Sequence, residues 1–244
     1  MTLAGRTALV TGAGRRIGRA IAERLAAGGA RVAVHYRRSA ADAADLVAGI
    51  RGRGGEAEAF AADLADAAAV ARLGDAVLAR FAAVDILVNN ASVFYRTPLA
   101  DLGAREWDDN LAVNLKTPYL LALRFGRLMR ERGAGKIVNI GDSGASRPYR
   151  DYLPYCVAKA GLVTLTQGLA RLLAPEVQVN CIAPGPILLP EDATDEERRQ
   201  ILRHTPLARF GTPADVAAAV AFVIEGGDFV TGATIAVDGG RALT

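Results

Sequence analysis

"TALVTGAGRRIGRAIAERL", residues 7–25, passes from a β-branched apolar run through a glycine turn into an amphipathic helix pattern. Gly12 and Gly14 permit a tight turn, and Gly18 lets the helix pack closely on the sheet. A helix N-terminus placed there offers free N–H groups and a positive dipole end to a pyrophosphate. Glycine spacing alone says little. Its position after the first strand and before an amphipathic helix makes it a dinucleotide fingerprint, with Gly12, Arg15, Arg16 and Ile17 as the candidate contacts.

Working outward, short apolar runs alternate with Ala/Leu/Arg-rich helical patterns along the whole chain. The strands read as TALVTG, RVAVHY, EAEAFAAD, DILVNN, KIVNIG, VQVNCIAP and TIAVDGG. Continuous apolar strands, as opposed to alternating ones, belong to a parallel sheet covered on both faces. The expected fold is therefore α/β: a single doubly wound Rossmann domain over residues 1–244, with a seven-stranded, mostly parallel sheet and helices on both faces. One irregular segment, Pro184 to Pro213, carries several prolines and an acidic helix start at Asp195 to Glu197. It is expected to form a flap over the site at about 186–212.

The 244 residues are 51% hydrophobic and 23% charged, which supports a sizeable core and argues against disorder. The net charge of +3 is spread over scattered arginines with no dense basic run, so no nucleic-acid partner is expected. No apolar run approaches the ~18 residues of a membrane span, and no signal sequence is evident, so a soluble, cytoplasmic protein without a membrane partner is expected. Cys156 and Cys181 lie inside apolar segments and read as reduced core thiols; their spacing suggests no metal site.

The second strand ends "VAVHYRRSA". A carboxylate commonly occupies this strand end to bind a ribose 2′-hydroxyl. Here His35 and Tyr36 are followed by Arg37, Arg38 and Ser39, and the first acid is Asp42. Guanidinium and hydroxyl donors suit a 2′-phosphate, so NADPH is preferred to NADH. Asp63 and Leu64 end the third strand where an adenine would lie. Asn89, Asn90 and Ala91 end the fourth, where small and amide side chains allow a ligand to approach the backbone; Asn89 could instead cap the following loop.

Tyr155 and Lys159 stand four residues apart and share a helix face. A free tyrosine, with pKa near ~10, is a sluggish acid–base group, and a neighbouring ammonium lowers that value. Asn114, in a helical pattern where asparagine has poor propensity, could hold a water that links Lys159 to solvent, or bond the local backbone. Asp142 closes the fifth strand thirteen residues before Tyr155.

"TGAGRRIG", "NNAS", Asn114, "YCVAK" and "APGPI" together resemble the short-chain dehydrogenase/reductase family over essentially the whole chain. The resemblance implies nicotinamide-dependent hydride transfer, with Tyr155 as proton donor and Lys159 and Asn114 assisting. It also implies cofactor contacts from Tyr155, Lys159, Pro184, Gly185 and Ile187, and a homotetramer. Two departures stand out: Arg16 replaces a usual glycine, and Asp142 replaces a usual serine, with Ser143 shifted by one. Both resemble the pteridine reductase branch, as do "HYRRSA", "NNASVFYRTPL" and the ending "FVTGATIAVDGGRALT".

Carried over, that branch implies Phe94 stacking on a pterin or folate opposite the nicotinamide. Arg16 and Ser92 would contact cofactor phosphate and the pterin's polar edge, and Asp142 and Tyr155 would face its ring nitrogens. The catalytic set is then Asp142, Tyr155, Lys159 and Asn114, and the reaction is reduction of a dihydropterin or dihydrofolate to the tetrahydro form. A carboxylate at 142 suits ring N–H or amino donors and would repel a developing alkoxide. The sequence leaves Asp142 either ionised beside a protonated Tyr155 or itself protonated by burial; a turn cap is the remaining reading. The alternatives to a pteridine reductase are a carbonyl reductase acting on 3-oxoacyl thioesters and a non-catalytic NADPH sensor.

Overall fold

A computed structural model describes residues 1–144, 147–189 and 194–244. The sequence stretch that opens the chain forms β1 (Thr7–Val10) and α1 (Arg16–Ala27). The other strands are β2 (Arg31–Tyr36), β3 (Ala57–Ala61), β4 (Ile86–Asn89), β5 (Gly135–Ile140), β6 (Val177–Pro184) and β7 (Thr234–Val237). They make one sheet in the order β3-β2-β1-β4-β5-β6-β7. Every strand pairing is parallel, including β6 with β7. The expected seven-stranded, doubly wound sheet is borne out, and it is parallel throughout. The reason is the last connection: α8 (Pro213–Glu225) crosses the sheet and returns the chain in the same direction.

Side-chain alternation in β1 separates two cores. Ala8 and Val10 face one layer, with Ile21 and Leu25 of α1, Leu46 and Ile50 of α2 (Ala40–Gly52), and Val216 and Val220 of α8. Leu9 faces the other layer, with Leu73 and Val77 of α3 (Ala67–Phe81) and Phe125 of α5 (Thr117–Glu131). Leu169 and Leu173 of α6 (Leu153–Leu173) complete that layer. Leu9 is wholly buried, so its truncation to alanine should cost about 2–5 kcal/mol. The chain order reverses between β1 and β4, and such a switch point opens a crevice at the carboxyl ends of the strands.

Three local features shape that crevice. Between α4 (Ala104–Leu111) and α5, residues Ala112–Lys116 form a π-helical turn, a widened turn that often marks functional sites. The short helix α7 (Asp195–Arg203) lies in the expected flap and buries none of its residues. It starts as the acidic sequence suggests: Thr194 Oγ1 accepts from Glu197 N at 3.2 Å, and Thr194 N donates to Glu197 Oε2 at 2.8 Å. Residues 190–193 of the flap lie outside the described residues. No helix among the described residues is long and apolar enough to cross a membrane.

Candidate active site

A cleft of about 1250 Å³ runs along the carboxyl ends of the strands. Gly12 takes φ +62°, and a Cβ there would stand 3.0 Å from the Ala91 Cα. A Cβ at Gly18 would meet the Gly12 carbonyl oxygen at 2.3 Å and Asn90 Nδ2 at 2.5 Å. These close approaches hold the glycine turn flat against β4. Asn90 adds hydrogen bonds from Nδ2 to the carbonyls of Thr11 (2.8 Å) and Gly12 (3.2 Å). No side chain caps α1, and no acid occupies its first turn. Its positive end is therefore left to the cleft, which Arg15, Arg16 and Ile17 line.

His35 supports this turn from below. Its Nδ1 accepts from Gly12 N at 2.9 Å, and its Nε2 lies 3.2 Å from the Ala62 carbonyl. An acceptor at Nδ1 and a carbonyl at Nε2 assign the neutral tautomer with its proton on Nε2. Burial pushes the imidazole down from 6.5 to about 4. His35 lines the cleft, whereas Tyr36 does not; Tyr36 packs partly buried against the core beneath α1. The Tyr36 side chain is thus turned away from the cleft, because strand neighbours point to opposite faces.

The remaining expected cofactor residues line the cleft: Arg37, Arg38, Ser39, Asp63, Leu64, Asn90, Ala91, Ser92, Tyr155, Lys159, Pro184, Gly185 and Ile187. Arg15 pairs with Asp42 at 2.6 Å, and Arg37 lies 3.8 Å from Asp63. Asn89 stays beneath the surface, 3% exposed, and donates to Asn139 Oδ1 at 2.8 Å. The bare helix end, the close-packed glycines and the Arg37–Arg38–Ser39 cluster fit a dinucleotide with an additional phosphate.

At the far end of the cleft, Asp142 follows β5 and Tyr155 stands in the first turn of α6. Tyr155 Oη donates to Asp142 Oδ2 at 2.7 Å. Tyr149 Oη donates to Oδ1 at 2.8 Å, as does Gly144 N at 2.7 Å. The carboxyl group thus receives three donors and donates to none. That is the pattern of a hydrogen-bond acceptor held from three sides.

Burial first, and the Asp142 charge second, push the Tyr155 phenol well above its ordinary value of 10.0. The same two causes raise Tyr149. The sequence argument that Lys159 would lower the tyrosine is outweighed here. Lys159 is itself buried, its ammonium lowered by desolvation, and its Nζ is spent on the Ile140 carbonyl at 2.7 Å. Its Nζ stands 5.7 Å from the centre of the Tyr155 ring.

Asn114 lies in the π-helical turn, 1% exposed, and behind the cleft instead of in its wall. Its Oδ1 accepts from Ser92 Oγ (2.8 Å) and Val93 N (3.0 Å), and its Nδ2 donates to the Val93 carbonyl (3.0 Å) and Asn110 Oδ1 (3.3 Å). The side chain therefore pins the 92–93 backbone, 21 positions away, which is not the local backbone bond that the sequence suggested. Phe94 does line the cleft, but one face is already stacked on Tyr152, at 4.4 Å and 11°. Its ring also meets Tyr155 edge-on at 4.7 Å. A flat ligand must take its other face or displace Tyr152. Arg16 reaches across the cleft and donates to the Leu188 carbonyl at 3.2 Å.

Residues 12–242 match the family model described as enoyl-(acyl carrier protein) reductase. The chain belongs to the short-chain dehydrogenase/reductase family. Family members use NAD(P). The D-threitol dehydrogenase of Mycolicibacterium smegmatis is 38% identical, covering 99% of this chain and 94% of its own. A 3-oxoacyl-[acyl-carrier-protein] reductase of Staphylococcus aureus is 37% identical over 98% of both chains. Two solved structures superpose with TM-scores of 0.92 at 35% identity. One is a blue fluorescent protein from a metagenomic library in complex with NADPH, covering 99% of this chain and 100% of its own. The other is an alternative dihydrofolate reductase from Brucella canis complexed with NADP, covering 100% and 96%.

Within this site, the sequence reading missed Tyr149 as a partner of Asp142, and Tyr152 as a partner of Phe94. It also missed Arg147, Arg241 and Thr244 in the cleft wall. Arg147 donates to the Thr244 carbonyl. Clustering of Tyr149, Tyr152 and Tyr155 was the available signal, but only the four-residue step to Lys159 distinguished one of them.

Proposed function

We propose that the protein is an NADPH-dependent pteridine reductase, which reduces a dihydropterin or dihydrofolate to the tetrahydro form. The observation that carries the reading is the Asp142 carboxyl group facing the Tyr155 hydroxyl at 2.7 Å. A carboxylate there accepts hydrogen bonds from ring N–H and amino groups, and it disfavours an alkoxide developing on a ketone substrate. The phenol raised by burial and by Asp142 arrives protonated at neutral pH, as a proton donor to a ring nitrogen must. The exposed face of Phe94 offers stacking worth about 0.5–1.5 kcal/mol beyond burial. Similarity to the Brucella canis dihydrofolate reductase supports the same substrate class.

Gly12, Arg15, Arg16 and Ile17 would hold the cofactor's pyrophosphate, and Arg37, Arg38 and Ser39 its 2′-phosphate. The cofactor supplies the hydride. Tyr155 supplies the proton, Asp142 orients the ring and keeps that phenol protonated, and Lys159 reaches the cleft beside them. Asn114 acts by fixing the Ser92–Val93 edge.

The test is turnover of dihydrobiopterin, dihydromonapterin and dihydrofolate with NADPH, against a 3-oxoacyl thioester. Oxidation of NADPH by a pteridine supports the reading; turnover of the thioester alone replaces it with the carbonyl reductase reading, which the 37% identity to the Staphylococcus aureus enzyme favours. Tighter binding of NADH than NADPH would remove the assignment of Arg37 and Arg38.

A further inference from the structure

We propose that Tyr149 is a positioning residue of this site, clamping Asp142 through Oδ1 so that Oδ2 is presented to Tyr155. The inference rests on the reading of Asp142 as the group that faces the substrate, and it adds a residue that neither the glycine fingerprint nor the Tyr/Lys pair includes.

Three observations carry it. First, the two oxygens of Asp142 are divided between the two phenols: Tyr149 at 2.8 Å on Oδ1, Tyr155 at 2.7 Å on Oδ2. The terminal torsion of an aspartate is broad and two-fold. Gly144 N, at 2.7 Å on Oδ1, is a local turn contact only two residues away. A second donor from a separate part of the chain is what stops the carboxylate from rotating.

Second, Tyr149 is tied to the helix that carries Tyr155. Its backbone N donates to Cys156 Sγ at 3.3 Å, and its carbonyl accepts from Tyr152 N at 3.2 Å. Its ring packs edge-on against Tyr152 at 6.3 Å and 85°. Donor, carboxylate and catalytic phenol therefore hold one mutual geometry.

Third, the other titratable groups near Asp142 do not replace this contact. Lys159 and Cys156 on α6 feel its charge, and Arg241 approaches Tyr149 from the C-terminal turn. Lys159 is bonded to the Ile140 carbonyl and Arg241 to the Ile201 carbonyl.

Tyr149→Phe keeps the ring and removes the hydroxyl. In a crystal structure of the NADPH-bound variant, the Asp142 carboxylate should turn away from Tyr155, so that the Oη–Oδ2 distance, 2.7 Å in the unaltered protein, opens beyond about 3.5 Å. An unchanged distance overturns the proposal. This readout needs no substrate, so it decides Tyr149 even if no pteridine is turned over and the proposed function fails. With a turned-over pteridine, Tyr149→Phe should lower kcat/KM about tenfold without changing the NADPH Kd. In an Asp142→Ser background the same substitution should change it less than about twofold. Equal losses in the two backgrounds would mean that Tyr149 acts on the fold alone, and would also overturn the proposal.

Discussion

The Tyr155 hydroxyl donates to Asp142 Oδ2 at 2.7 Å, so the proposed proton donor of the site is held by a carboxylate where the family commonly has a serine. The charge and the burial act in the same direction on the phenol. Rising pH would remove its proton only well above 10.0, so reduction should show no alkaline fall up to about pH 9. Asp142→Asn removes the charge and keeps the shape. Pteridine turnover should fall by about 10²-fold, within the usual range for losing one partner in acid–base catalysis. The alkaline fall should also start at lower pH than in the unaltered enzyme. Rate–pH profiles of both proteins check this. An unchanged alkaline limb would show that burial alone sets the phenol.

His35 gives the fold a dependence on acid. It is 2% exposed and accepts from Gly12 N, and its folded value lies near 4 against 6.5 for the free group. The unfolded chain therefore binds the proton more tightly. Its contribution to stability is full above about pH 6.5 and is lost as the pH falls through 4. The difference corresponds to about 3 kcal/mol at most. Denaturant midpoints for unaltered protein should fall more between pH 7.5 and 4.5 than those for His35→Gln, whose side chain can accept from Gly12 N without titrating. Parallel falls would assign the acid sensitivity to other groups.

Much of this was legible before the structure, for physical reasons. The strands announced themselves because a parallel sheet buried on both faces needs continuous apolar runs, and residues 7–25 held turn, helix start and close packing in one stretch. The parallel direction of β7 was also implicit, since the helical PADVAAAVAFVIE between β6 and β7 demands a crossover. The placement of Tyr36 followed from strand alternation once His35 was assigned to the cleft. Other features had no periodic signature. The π-helical turn that aims Asn114 at Ser92 and Val93 depends on tertiary packing. The Tyr149 contact depends on how the loop after Asp142 folds back, and the Phe94–Tyr152 stack joins residues 58 positions apart.

Gly18 should tolerate no side chain. An alanine Cβ would stand 2.3 Å from the Gly12 carbonyl oxygen and 2.5 Å from Asn90 Nδ2, neither of which is the flexible end of a long side chain. α1 must then lift away from the turn. Loss of packing between α1 and the sheet should cost about 1–3 kcal/mol. NADPH affinity should fall at least tenfold, because the helix end and the turn no longer share one geometry. Gly49→Ala on α2 is the control: its Cβ meets only the end of the Arg53 side chain, at 3.6 Å or more. Calorimetry for binding and thermal unfolding for stability should separate the two variants; a Gly18→Ala protein that binds NADPH normally would refute the close-packing account.

Arg16 stands where glycine is usual, and its backbone shows why glycine is usual: φ is +55°, the left-handed region that side chains avoid. Strain of this kind costs of order 1–2 kcal/mol and persists where function holds it in place. Its return here is reach, since the guanidinium crosses the cleft to the Leu188 carbonyl and ties the glycine turn to the start of the flap. Arg16→Gly should relieve the strain and remove the tie. Thermal stability of the protein alone should stay unchanged or rise, because the strain relieved is offset by the freedom glycine adds to the unfolded chain. Affinity for NADPH and for a dihydropterin should both fall, by about tenfold or more, through loss of a charged donor. Arg16→Lys should keep the strain and recover only part of the affinity, since a single ammonium cannot bridge two acceptors as a planar fork can. Unfolding temperatures and binding constants on the three proteins decide the case: a Gly variant that is both less stable and fully competent would reverse it.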